Sequence, residues 1–303
     1  MIKRFLKFVE ITTKITSVYA FANTLAFMLV MEKHINVPLM VIFCVAAFIF
    51  DLTTTGINNY IDSKDYPEML PIKRSNAFVV IIGMLVISTI MGLFLAYKTG
   101  IVVLLIGALC FLLGIFYTFG PLPISRIPLG EIFSGVAYGM MIPFLMLYIN
   151  NPTDYIELNI NIHTIDMKIM IGAFVSFLLF SVVNTLTTSN IMLANNTCDL
   201  KKDIAVGRHT LVFHIGQPAA VKLYAILYYL CYVSVIIMVI ASILPPIALV
   251  FILSLPLVQK NINTFKAEQI KEKTFITSIK NFIIINSSYL TTLLLSALFL
   301  RIA

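Results

Sequence analysis

The chain has 303 residues, of which 60% are hydrophobic and only 12% charged, and its formal net charge is +7. Soluble domains carry about 25% charged residues. A soluble globular fold, a disordered chain and a secreted disulfide scaffold are therefore excluded, and the long apolar stretches need lipid as their solvent.

Nine apolar segments follow one another, at 15–31, 37–57, 77–97, 101–119, 132–149, 168–193, 221–243, 244–259 and 278–301. They are continuous runs and not ten-residue alternations, so they predict helices and not barrel strands. The first begins after Lys14 without a small-residue cleavage site, which predicts an uncleaved span. The eighth opens on Pro245-Pro246, a pair suited to a helix start. The expected fold is an all-α membrane protein with nine transmembrane helices around one central cavity, residues 1–303 forming a single domain.

Lys and Arg set the orientation. With nine spans, the side that holds the N-terminus carries seventeen of them. The other side has only Lys33, Lys98, Lys168 and Arg301. The N-terminus is therefore expected in the cytoplasm, in the inner membrane of the cell. The basic balance reflects loop placement, and no nucleic-acid partner is expected. Cys44, Cys110 and Cys231 lie in apolar runs, Cys198 stands alone, and no Cys/His metal spacing occurs.

Two acidic clusters face the same side. After the second segment, Asn58, Asp62 and Asp65 are spaced i, i+4, i+7. After the sixth, Asn196, Asp199 and Asp203 are spaced i, i+3, i+7. Each trio shares a helical face. Two carboxylate pairs at a membrane surface repel each other and any anion, and divalent cations remove both conflicts. Mg²⁺ takes one or two protein carboxylates and fills its other positions with water and phosphate oxygens. Asp62, Asp65, Asp199 and Asp203 are the expected ligands, and Asn58, Asn59 and Asn196 supply neutral oxygens or orient the carboxylates. Lys73, Arg74, Lys201, Lys202 and Arg208 are the cations expected to hold a diphosphate.

The pairing of an acidic element after helix two with a D-x-x-x-D element after helix six resembles the UbiA superfamily of intramembrane prenyltransferases. The likeness covers nearly the whole chain. Its most specific part is N-N-x-x-D-x-x-x-D-x-x-x-G-R-x-T-L, from Asn195 to Leu211. The stretch from Tyr117 to Gly139 is similar to the loop after helix four in the 1,4-dihydroxy-2-naphthoate polyprenyltransferase branch. The first motif departs from the pattern: Tyr66 stands where the family's second aspartate falls, and Asp65 comes one residue early. The arginine-proline pair that often precedes helix one is absent, and Lys14 takes its place.

The resemblance implies transfer of a polyprenyl group from its diphosphate to an aromatic acid, with Mg²⁺ and with Asp62, Asp199 and Asp203 as the catalytic acids. In the naphthoate branch the attacked carbon loses CO₂, giving a menaquinone precursor. Rival acceptors within the fold are 4-hydroxybenzoate, a haem or a glycerol-phosphate lipid. A transporter is the rival outside it, but transport sites sit near mid-membrane on broken helices, whereas most of these acids gather at one surface.

Other residues carry two readings each. Asp51 lies within the second segment, where it either binds an acceptor hydroxyl or bonds to Thr53, Thr54 or Thr55. Arg126 meets the acceptor's carboxylate or snorkels at a helix end. Glu131 is a base or a helix-start acid. Asn184, Thr187, Thr188 and Ser189 line a cavity or bond across helices. Tyr60 and Tyr117 are the candidates to face a carbocation. Gly135 and Gly139 predict close helix packing. The basic loop from Lys260 to Lys280 is assigned to lipid head groups.

Overall fold

The computed structural model describes residues 2–64, 68, 70–121 and 123–302. In chain order the elements are α1 (Ile2–Phe8), a 3-10 turn (Ile11–Lys14) running into α2 (Ile15–Val30), α3 (Val37–Asp62), α4 (Arg74–Thr99), α5 (Ile101–Phe116) and α6 (Gly130–Val136). A π-turn (Ala137–Met141) leads into α7 (Ile142–Asn150), followed by strands β1 (Ile156–Ile160) and β2 (Ile165–Ile169). Then come α8 (Ile171–Ala205), α9 (Leu211–Ile215), α10 (Gln217–Ile240), a 3-10 segment (Pro246–Ser254) running into α11 (Leu255–Ala267), and α12 (Ile276–Ile302).

Each predicted apolar segment falls mainly on helix. Among the described residues, eight helical stretches are long and apolar enough to cross a membrane. The fourth segment forms α5, which has 16 residues. At 1.5 Å per residue it reaches about 24 Å, short of the roughly 30 Å hydrocarbon layer. The chain is a multi-pass membrane protein.

Local sequence explains the boundaries. Asn36 caps α3 by accepting from the Leu39 amide at 3.2 Å, with Pro38 in the first turn where no amide is needed. Gly100 ends α4 at φ 104°, a conformation that favours glycine. Pro143 cannot donate to the carbonyl four residues back, and the π-turn sits just before it. Pro256 likewise marks the change from 3-10 to α geometry in the eighth segment.

Two elements differ from expectation. Residues 156–169 form an antiparallel hairpin, with Glu157 opposite Lys168 and Leu158 opposite Met167. Its pairs alternate between apolar and polar, so one face carries Ile156, Leu158, Ile160, Ile165, Met167 and Ile169. The sixth helix is also longer than its apolar run. α8 has 35 residues and continues through Asp199 and Asp203, because no breaker intervenes before Gly207.

The chain forms two compact units. The first comprises residues 1–18, 35–123 and 145–169, the second 19–34, 124–144 and 170–303. In the first, α3 packs along α4, and Phe8, Val9, Leu52, Leu70, Ala77 and Ile81 form a buried cluster. In the second, α8 is central, flanked by α6 with the π-turn, α10 and α12. Its polar stripe bonds across helices. Asn23 donates to Asn184 at 2.8 Å and to Asn286 at 3.1 Å, and Asn286 donates to Thr187 at 3.1 Å.

Gly139 lies directly on α8: a β-carbon there would come 2.2 Å from the Thr185 amide nitrogen. Backbone cannot yield as a side chain can, so Gly139→Val should cost about 3 kcal/mol or more of stability. Gly92→Val, which meets nothing within 4 Å, should be nearly neutral. Thermal unfolding of both variants in detergent checks this, and equal midpoints would refute the close crossing.

Candidate active site

The second acidic cluster lies on the last three turns of α8. Asn196, Asp199 and Asp203 fall within about 60° of one another around the helix, and their surroundings differ. Asp203 is 4% exposed and faces the Arg208 guanidinium at 3.8 Å. The Arg208 amide also donates to the Asp203 carbonyl at 2.8 Å, closing the turn in which Gly207 adopts φ 68°. Asp199 meets Lys271, whose Nζ is 2.6 Å from Oδ2. The same ammonium donates to Asn195 Oδ1. Asn196 donates to Glu131 Oε1 at 2.8 Å. Glu131 is 3% exposed. Its place at the start of α6 fits the helix-start reading, but burial beside Asn196 also makes it a wall of this cluster.

Lys201 and Lys202 are both exposed. Because α8 stays helical to Ala205, Lys201 projects from the face opposite Asp199 and Asp203, which corrects its assignment to the diphosphate. Lys202 is closer to the acidic face. Arg126 is exposed, and its carbonyl accepts from the His209 amide at 3.0 Å, tying the loop before α6 to the turn after α8.

The first cluster ends α3. Asp62 is the last residue of that helix and is exposed. Asn58 Oδ1 accepts from the Thr118 hydroxyl, which brings Tyr117, half-buried at the end of α5, next to the helix. Asn59 turns elsewhere. Its amide donates to the Phe8 carbonyl at 2.8 Å and to Glu10 at 3.2 Å, so in this structure it anchors the N-terminal segment. Arg74 stacks its guanidinium 3.9 Å over the Tyr60 ring and reaches the Ser63 carbonyl at 3.5 Å. Tyr60 therefore already faces a cation of the protein. Lys73 is exposed at the start of α4. Asp65 and Tyr66 lie outside the described residues.

Lys14 and Asp51 pair with each other. Both are buried, and Lys14 Nζ lies 2.7 Å from Asp51 Oδ1. The ammonium also donates to the Asp51 carbonyl at 3.1 Å and to the Thr55 hydroxyl. Ser17 donates to Asp51 Oδ2. An ammonium has three donors, so Lys14 is fully engaged by Asp51 and Thr55 in this structure. Thr53 and Thr54 direct their hydroxyls to backbone carbonyls, not to the Asp51 carboxylate. A lysine thirty-seven residues earlier pairs with Asp51, which neither sequence reading named.

The donor chemistry decides what the α8 cluster can hold. Asp199, Asp203, Asn196 and Glu131 offer oxygen alone, the preference of a hard divalent cation. Among the described residues no three His, Cys, Asp or Glu side chains form a cation cage. A carboxylate pair suits Mg²⁺, which keeps positions for water and phosphate.

The sequence matches the UbiA prenyltransferase family over residues 19–279. It is 31% identical over 170 residues to the 1,4-dihydroxy-2-naphthoate octaprenyltransferase of Bacillus subtilis (strain 168), covering 56% of this chain and 49% of that protein. This chain thus spans about half the length of that curated relative. Solved structures share the fold at low identity. A digeranylgeranylglyceryl phosphate synthase superposes with a TM-score of 0.65 at 16% identity, over 98% of this chain and 99% of the other. A homologue from Aeropyrum pernix K1 gives 0.63 at 15%, over 92% and 98%. One from Archaeoglobus fulgidus, bound to GPP and Mg²⁺, gives 0.63 at 12%, over 97% and 99%.

Proposed function

The chain belongs to the UbiA prenyltransferase family, and we propose that it moves a polyprenyl group from a polyprenyl diphosphate to 1,4-dihydroxy-2-naphthoate, with loss of CO₂ and with Mg²⁺. The observation that carries the reading is the face formed by Asn196, Asp199 and Asp203, with Lys271 and Arg208 beside it. The Bacillus relative supports the acceptor, and the ligands of the Archaeoglobus homologue support the donor and the metal.

In this reading the chain has nine membrane helices, α5 among them. The N-terminus and the acidic residues face the cytoplasm at the inner membrane. Asp199 and Asp203 would hold Mg²⁺, with Asn196 bonded to Glu131 beside them. Asp62 and Asn58, with Asp65 beyond the described residues, would supply the second set of ligands. Mg²⁺ would neutralise charge on the departing diphosphate. Arg208, Lys202, Lys73 and Arg74 add charge-assisted hydrogen bonds to its oxygens. The C–O bond then breaks toward an allylic carbocation, and Tyr117 presents a ring face to it. Arg126 meets the acceptor's carboxylate. The apolar spans take the isoprenoid tail while the diphosphate stays at the wet end.

The test is a panel of aromatic acids incubated with purified protein and one labelled polyprenyl diphosphate. Prenylated naphthoate with released CO₂ is expected. Product from 4-hydroxybenzoate, a haem or a glycerol-phosphate lipid alone would replace the acceptor and keep the family. Turnover should vanish in excess chelator and return with Mg²⁺; full activity in chelator would refute the metal.

A further inference from the structure

The segment between α11 and α12 holds four charged side chains, Glu268, Lys271, Glu272 and Lys273, yet they do not share one environment. Lys273 pairs with Glu268 of the same loop at 3.8 Å, both well exposed. Lys271 is different. Two thirds of its side chain is covered, and its ammonium crosses to α8, where it meets Asp199 and Asn195. It also stands 4.7 Å from the Phe275 ring centre.

The loop is shaped to hold this lysine. The Thr274 and Lys273 amides both donate to the Ile270 carbonyl, at 2.8 and 3.1 Å. The Ile270 amide donates to the Thr274 hydroxyl at 2.9 Å, and Thr274 is buried. Gln269 is fastened to the end of α11 by a 2.6 Å bond to the Phe265 carbonyl. Lys271 projects from this closed turn, so its placement follows from backbone bonds and not from a long tether.

We propose that Lys271 is a diphosphate-binding residue that also guards Asp199: it neutralises the carboxylate while no cation is bound, and passes to a phosphate oxygen when a divalent cation takes Asp199. This rests on the reading given under Proposed function. A divalent cation outcompetes an ammonium for a carboxylate because it carries twice the charge at shorter range. The displaced ammonium has a flexible four-carbon stem and stays within a few ångströms. Phosphate oxygens on the same cation are then the nearest concentrated negative charge.

The role predicts opposite effects on two ligands. In the full-length protein in detergent, Lys271→Gln should bind Mn²⁺ alone about tenfold more tightly, since a competing charge is gone. At saturating Mn²⁺ the same variant should bind inorganic diphosphate about tenfold more weakly. Mn²⁺ binding is read from the electron paramagnetic resonance signal of the free ion, and diphosphate binding by calorimetry. Lys271→Arg should keep most of both wild-type values, and Lys273→Gln should change neither. Unchanged affinities in Lys271→Gln, shifts of the same sign, or an equal response in Lys273→Gln would each overturn the proposal. If wild-type Mn²⁺ binding is absent, or survives Asp199→Asn, the metal reading itself falls. That result is distinct from a wild-type site that binds metal but ignores Lys271.

Discussion

Asp199→Asn should lower turnover by about 10²–10³ while the protein still extracts as a monodisperse species. The substitution keeps the size of the side chain and removes one charge. It strips a ligand from the α8 face and leaves Lys271 without the carboxylate it now meets at 2.6 Å. Two consequences follow. The divalent cation binds more weakly, and the negative charge that grows on the diphosphate as the C–O bond breaks is less well compensated. The defect should therefore be largest at limiting Mg²⁺ and shrink in part as Mg²⁺ is raised. Asp203→Asn should act in the same direction. It is the more buried of the pair, and its loss also frees Arg208, so its variant needs the stricter check of folding. Steady-state rates over a Mg²⁺ series decide the matter. A folded Asp199→Asn protein with wild-type turnover at limiting Mg²⁺ would reduce the α8 cluster to a solvated helix end.

The spans and the position of the acids were legible because both are local. A continuous apolar run declares a membrane helix, and the i, i+3, i+7 spacing of Asn196, Asp199 and Asp203 places them on one face wherever the helix sits. The hairpin left a local signal too. Residues 156–160 and 165–169 alternate with period two on either side of a four-residue turn, but starting the sixth span at 168 absorbed the last two residues of the second strand. The extent of α8 followed from the absence of a breaker before Gly207, which hydropathy does not measure. The pairings were not legible. Lys14 is 37 residues from Asp51, and Lys271 is 72 from Asp199. Nothing in one sequence links groups at such distances, and an alternating loop charge is equally at home on lipid head groups.

The Lys14–Asp51 pair carries the second large expectation. Removing one member leaves the other charged and buried, and this typically costs about 3–5 kcal/mol. Lys14→Met should therefore unfold roughly 6–10 °C earlier in detergent, and Asp51→Leu should do the same. Asp51→Leu also leaves the Lys14 ammonium with only the Asp51 backbone carbonyl and the Thr55 hydroxyl. The double variant removes both charges and fills the space with apolar atoms, a replacement that is often neutral or stabilising. It should recover most of the loss. The singles and the double thus form a cycle in which the coupling between positions 14 and 51 is large and specific. The same variants separate a structural lysine from a substrate-binding one. Because the Lys14 donors are spent on Asp51 and Thr55, the double variant should keep the wild-type KM for the prenyl diphosphate at temperatures where it is folded. A stable double variant with a KM raised tenfold or more would return Lys14 to the substrate. A double variant no more stable than either single would mean that the pair is not what holds the 3-10 turn before α2 against α3.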